Sequence, residues 1–405
     1  MTRFNTIVIG AGLTGTAAAR HLSLETSAVA LIGPPEPSHR AEHKGVFGSH
    51  YDESRIVRTL DCDPHWGLLA KRSISRFEAL QADSGISFYV ACGHLALAED
   101  DATAPENYVN QVDTVSQELG VAHESLHYED LRSRFPFLAL PEGTAGRFQR
   151  RIGGYISPRA LVRAQAEIAA RQGVERILET ARLVRSNGTG VRVETREGTV
   201  CQADRVLVAA GAFCNYPELL PLSLNLSFMG RTVLFLEPDS AGIRELAGMP
   251  SIIDRSGPPG TRSYILPPCR YPNGRTYLKI GTSLEVEDRL ATADEVGAWY
   301  RSAGNTAIAA RLRGIVRTRY PGIAFVSEKT EPCVNYTSAA TLPYVGCVPG
   351  ETKIFVIAGG NGGTAKSSDE YGHIAARLML DGKWQYDLGE ALFAPKARPS
   401  GSAVR

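Results

Sequence analysis

Hydrophobic residues fall along this chain in three recurring patterns, and each predicts a different kind of element. Short apolar runs at Ile7–Ile9, Val29–Ile32, Val206–Ala210 and Lys353–Ala358 read as strands covered on both faces, as in a parallel sheet. Helical spacing of apolar positions marks Thr16–Leu22, Leu68–Ala82, Tyr108–Glu118, Glu129–Phe135 and Ala293–Leu312, with a last helix from about Ser367. Ser157 can cap a further helix that starts near Pro158, a residue suited to a first turn. Strand-like stretches make up the third pattern: Phe88–Ala98, Val174–Leu183, Gly190–Glu194, then Leu226–Leu236, Ser263–Cys269 and Arg275–Ser283. Asn273–Gly274 separates the last two and is a strong hairpin signal. The polar run Glu99–Glu106 reads as a surface loop.

Glycines then say what the first element is for. Gly10, Gly12 and Gly15 give G-x-G-x-x-G between the first strand and the first helix. One glycine permits a tight turn, one lets backbone approach a pyrophosphate, and one allows close helix–strand packing. Unpaired N–H groups at the helix start would face the phosphates of a dinucleotide. The second strand departs from the pattern: an acid to hold a ribose hydroxyl is expected at its end, and the chain has Gly33, Pro34, Pro35 and Glu36. Either Glu36 reaches back or the ribose is held otherwise. Gly211 and Ala212 close the Val206–Ala210 strand, where small residues let backbone come near a cofactor.

Composition narrows the classes. A net charge of +1 offers no field for nucleic acid or an anionic membrane, and no apolar run approaches the ~20 residues of a spanning helix. Seven cysteines, odd in number and without a C-x-x-C pair, fit a reducing compartment and give no support to structural zinc. With no leader-like stretch before the first strand, the expectation is a cytoplasmic protein without a metal site, a monomer or a weak homo-oligomer.

Gly48–Leu60 reads GSHYDESRIVRTL. Arg55 and Arg58 stand three apart and on a helix would share a face, either as a solvated basic patch or as a guanidinium clamp for phosphate or carboxylate. The segment resembles the one after the second strand in the monomeric sarcosine oxidase and N-methyltryptophan oxidase branch of the glycine/D-amino-acid oxidase flavoproteins. The resemblance implies an FAD cofactor met by Gly10, Gly12, Leu13, Thr14, Gly15, Ser49, Arg55, Val184 and Gly211. It puts Arg55 beside the flavin ring and Arg58 on the substrate carboxylate, while the family's active-site histidine falls on Tyr51.

Three further positions carry the resemblance. Lys279, in YLKIG, matches a lysine above the flavin, where a fixed ammonium would stabilise the negative charge that develops as oxygen is reduced. Cys333, in KTEPCVNYTSAATLPYVG, matches the cysteine that forms a thioether to the flavin 8α carbon; Cys347 is the other nearby thiol. The run GGNGGTAKSS implies flavin contacts at Gly360, Asn361, Gly362, Gly363 and Lys366. Laid over the family string, it puts the carboxylate-assisting lysine on Lys366, which could equally start the helix.

The fold class expected is α/β (α+β), with a Rossmann-like FAD-binding domain (1–60, 145–224, 320–395) interleaved with an antiparallel-sheet substrate domain (61–144, 225–319). Residues 396–405 are expected as a disordered tail. The function the resemblance implies is oxidation of the C–N bond of a small secondary amine or amino-acid derivative, with oxygen reduced to hydrogen peroxide. A tailoring oxidase acting on a cyclic or sugar-modified amine, and a dehydrogenase passing electrons to a partner, are the alternatives.

Overall fold

The computed structural model describes residues 2–101, 103–282 and 288–399. Its first sheet has eight strands, running Ala181–Asn187, Gly190–Thr195, Val200–Val208, Thr2–Ile9, Val29–Ile32 and Glu175–Ile177. Ile354–Ala358 lies parallel beside Val200–Val208, and Tyr344–Cys347 lies antiparallel on it. The apolar run Ile7–Ile9 sits at the centre of this sheet, parallel to both neighbours and buried. Helices Leu13–Leu22 and Ser368–Asp381 cover one face. They cross closely because Gly372 has no side chain: a Cβ there would stand 2.5 Å from Ala17 Cβ and 2.6 Å from Ala18 N.

The second sheet has nine strands, and eight of them run Asp288–Leu290, Leu226–Pro238, Thr276–Thr282, Ser263–Arg270, Ser251–Asp254, His94–Glu99, Thr144–Gln149 and Glu124–Leu126. The ninth, Phe325–Ser338, pairs with Leu226–Pro238 from Leu226↔Ser338 to Pro238↔Phe325. The sheet is antiparallel except where Ser251–Asp254 meets His94–Glu99. A small sheet of Arg55–Val57, Gly154–Ile156 and Tyr89–Val90 lies alongside. No helix among the described residues is long and apolar enough to cross a membrane.

Several expected elements change. The run Leu68–Ala82 is two helices, Pro64–Ile74 and Phe77–Ser84. Ala293–Leu312 is likewise two, Ala293–Arg301 and Thr306–Arg319, because Gly304 takes φ +82° and Asn305 caps the second. Phe88–Ala98 breaks at Gly93, where φ is +92°. Arg55–Val57 is a strand, so Arg55 and Arg58 share no helical face. Thr144–Gln149 and Phe325–Ser338, assigned by sequence mostly to the nucleotide domain, hydrogen-bond into the other sheet. The first residues of the expected tail are ordered: Lys396 O accepts from Asn225 N at 2.8 Å and Arg398 N donates to Ser223 O at 2.8 Å. Positions 400–405 lie outside the described residues.

Candidate active site

A cavity of about 760 Å³ runs from the first glycine turn to the inner face of the second sheet. At the glycine end, Gly10 takes φ +106°, and a Cβ there would lie 2.3 Å from Ala209 O. A Cβ on Gly15 would lie 1.9 Å from Gly10 O; Gly15 sits behind the wall and serves packing, while Gly10, Gly12, Leu13 and Thr14 line the cavity. Helix Leu13–Leu22 has no side chain capping its N-terminus, so its first N–H groups are left for a ligand. Gly33 is required by contact, since a Cβ would stand 2.6 Å from Ala11 N. Glu36 does not line the cavity, and its carboxylate takes Arg159 in a bidentate pair at 2.6 and 2.7 Å. Val184 is also off the wall, fully buried with its N–H on Leu219 O at 3.0 Å; Thr180 and Ala181 line instead.

Two cation clusters flank the rest of the cavity. The first is built on Asp52, whose carboxylate accepts from Lys279 Nζ, Arg55 Nη1, Tyr271 OH at 3.0 Å and the Glu53 N–H at 2.8 Å. Burial would raise this carboxyl, but Lys279 and Arg55 hold it far below the usual range. Arg55 lines the cavity and points its other amino group at Ser49 O (3.2 Å) and Cys333 Sγ (3.6 Å). Burial would weaken its hold on the proton, yet Asp52 and then Cys333 raise it further. Lys279 is the inner member of this cluster. It is fully buried, donates to Asp52 and to Ser54 O at 2.5 Å, and does not line the cavity. The alternation of its strand turns it toward the segment carrying Arg55, one layer behind the wall.

The second cluster is Arg58, Asp61 and Lys366, all on the wall. Arg58 Nη1 donates to Asp61 Oδ2 at 2.8 Å, and Lys366 Nζ stands 3.4 Å from the same oxygen. One carboxylate therefore faces two cations. Burial pulls the Lys366 ammonium down to about 8, with Asp61 opposing, while Asp61 is lowered by Arg58 and Lys366 against its burial. Lys366 also lies 4.7 Å from the ring of Trp66, which the Asp63 cap and Pro64 of its helix hold at the wall.

The other expected residues fall as follows. Tyr51 lines the cavity as a phenol, raised by burial to about 12, beside His50, which burial keeps neutral by lowering it to about 4. Gly211, Gly360, Asn361, Gly362 and Gly363 line it with backbone. The Asn361 side chain is spent on Ser338 N (2.9 Å) and Thr341 O (2.9 Å), fixing the loop in a left-handed turn at φ +49°. Cys333 is on the wall and Cys347 is not. Cys62, which sequence reasoning missed, is a second wall thiol; burial and then Asp61 push it up, the opposite of a reactive setting. Asp52 and Asp61 were also missed, although they stand three residues from Arg55 and Arg58 and so were legible as partners. Tyr264, Arg255 and Arg262 line the cavity from the second sheet with no local signal.

Residues 5–378 match the model of the DAO family, FAD dependent oxidoreductase. The chain belongs to this FAD-dependent oxidoreductase family. N-methyl-L-tryptophan oxidase of Yersinia pestis (strain Pestoides F) is 27% identical over 220 residues, 54% of this chain and 56% of that protein. The chain thus matches about half the length of that curated relative. Among solved structures, NikD, described as an unusual amino acid oxidase essential for nikkomycin biosynthesis, superposes with a TM-score of 0.77 at 19% identity over 100% of both chains. Glycine oxidase from Geobacillus kaustophilus gives 0.69 at 19% identity over 97% and 98%. At these identities the two structures establish the fold. The family's FAD fits the cavity: the glycine cradle would be filled by any Cβ at Gly10 or Gly33, an uncapped helix N-terminus faces it, and the volume suits a large ligand.

Proposed function

We propose that this family member oxidises the C–N bond of a secondary amino acid or related amine, with its FAD held by the glycine cradle and tethered through Cys333. What carries the reading is one cavity lined at one end by the nucleotide turn, and further along by the Arg58–Asp61–Lys366 cluster and by Cys333 under Arg55. When bound, the flavin supplies the two-electron oxidant that accepts a hydride from the carbon next to nitrogen and is restored by oxygen with release of peroxide.

The chain's own residues supply binding, orientation and fixed charge. Arg58 and Lys366 together outnumber Asp61 by one positive charge, so a substrate carboxylate completes the cluster. Trp66 and Tyr264 give flat walls against which the amine lies. Arg55 presents the fixed cation on the flavin side. Lys279 is a positioning residue that acts through Asp52, holding the carboxylate that orients Arg55. Cys333 is the tether because its sulfur meets a guanidinium, whereas Cys62 meets a carboxylate.

A second reading, transfer of electrons to a partner instead of oxygen, is favoured by the position of Lys279 behind the wall. Anaerobic addition of N-methyl amino acids should bleach the flavin spectrum, and air should restore it with one peroxide per turnover. Bleaching that air fails to reverse within seconds would select the dehydrogenase. No bleaching by any N-methyl or cyclic amino acid would end the amine reading.

A further inference from the structure

Arg255 and Arg262 line the same cavity but have no part in the reaction above. They stand at the ends of strands Ser251–Asp254 and Ser263–Arg270, whose register pairs Asp254 with Ser263. Arg255 follows Asp254 and Arg262 precedes Ser263, so the two arginines flank that last pair, and both reach the cavity wall. Two like charges brought to one cavity wall repel each other unless something negative lies between them. Nothing among the described residues does. The neighbouring Asp254 is turned inward and fully buried, taken by Arg319 Nε at 2.7 Å and by Ser256. Asp61 already serves Arg58 and Lys366.

The Arg255 guanidinium is not loose, despite its exposure. It lies 4.1 Å from the ring centroid of Tyr108, a buried residue that also feels Arg58 and Asp61 electrostatically. The arginine pair and the carboxylate cluster therefore face the same end of the cavity, and both are positive in sum. The nucleotide phosphates belong to the glycine turn on the other sheet, so they do not account for the pair. Guanidinium pairs recognise carboxylate or phosphate through parallel N–H donors.

We propose that the substrate carries a second acidic group, held at the cavity mouth by Arg255 and Arg262, beyond the carboxylate bound by Arg58 and Lys366. This rests on the amine-oxidase reading for its chemistry but not for its binding site. It narrows the substrate class from secondary amino acids in general to those with an acidic side chain, of which N-methyl dicarboxylic and phosphorylated amino acids are the simplest.

The test has a kinetic arm and a binding arm, both on the holoenzyme at physiological salt. N-methyl-L-aspartate, N-methyl-L-glutamate and N-methyl-O-phospho-L-serine are compared with N-methyl-L-asparagine, N-methyl-L-glutamine and N-methyl-L-serine. A charge-assisted contact of this kind predicts kcat/KM about tenfold or more higher for at least one acidic member than for its neutral partner. Preference for the carboxylates or for the phosphate then tells which acid is meant. In the Arg255→Gln/Arg262→Gln double variant the ratio should fall to about one. Calorimetric titration with glutarate and with butyrate should show the same preference and the same loss, without requiring turnover. Equal rates for acidic and neutral partners in the wild type, or a preference that survives in the double variant, would overturn the proposal. If no amine reduces the flavin while glutarate still outbinds butyrate in the wild type alone, the amine-oxidase reading fails and the anion site stands. No glutarate preference would overturn the site itself.

Discussion

Replacing Asp52 by Asn leaves the shape of the first cation cluster and removes its only carboxylate. In the native fold that group accepts from Lys279, Arg55, Tyr271 and the Glu53 N–H, all in a buried setting. The amide retains one acceptor and turns an NH₂ donor toward a cation. Removing one partner of a buried ion pair costs about 3–5 kcal/mol, because the remaining charge stays unpaired. Unfolding entropy of roughly 2.1 cal/mol/K per residue comes to about 0.85 kcal/mol/K for a chain of this length, so the loss corresponds to about 4–6 °C in Tm. Lys279→Met should cost less, since Asp52 keeps Arg55. The decisive variant is Asp52→Asn/Lys279→Met. It removes the fully buried cation together with its partner, leaving only Arg55, which reaches the cavity. The double variant should therefore be more stable than the sum of the two losses by about 1–3 kcal/mol, the coupling expected of contacting residues. Differential scanning calorimetry of the holoproteins measures all four corners of this cycle. Strict additivity, or an Asp52→Asn protein melting within a degree of the wild type, would refute the claim that Asp52 ties Lys279 to Arg55.

Other outcomes follow from the same geometry. Cys333→Ser should release its flavin on acid precipitation, and Cys62→Ser should retain it, as read by absorbance of the supernatant. Lys366 carries its ammonium below about 8 and loses it above. The affinity of a simple carboxylate inhibitor should accordingly fall as pH rises through that value, and Lys366→Gln should flatten the profile. Gly372→Ala forces a methyl into Ala17 and should lower stability by about 1–3 kcal/mol, seen as a lower melting temperature. Lys279→Met should slow reoxidation by oxygen more than reduction by amine, since its effect reaches the flavin side through Arg55; equal slowing would count against that route.

How much of this was legible in the sequence depended on whether the signal was local. The glycine turn, its strand and its helix are set by near neighbours, and they stand where the pattern put them. Wall positions read from the resemblance, Arg55, Arg58, Tyr51, Cys333 and Lys366, meet in one cavity. Lys279 and Val184 do not, because strand periodicity gives a face but not the depth of what covers it. The Arg55–Arg58 spacing suggested a helix where pairing with Gly154–Ile156 makes a strand, a partner one hundred residues away that no local window contains. Arg255 and Arg262 were invisible for the same reason: only the pairing of Asp254 with Ser263 brings the two positions to one stretch of wall. The ends of the two broken helices, by contrast, carried some readable signals, though the break at Ser75–Arg76 did not. Pro64 opens one early, and Gly304–Asn305 interrupts the other.

The central claim, that this cavity holds an FAD tethered at Cys333, meets its most direct test in the mass of the denatured polypeptide and of its peptides. One added FAD on the peptide containing Cys333, with yellow colour retained after denaturation, is the result expected. A chain of unmodified mass, with an alkylatable Cys333 and no flavin absorbance even after incubation with FAD, would contradict it.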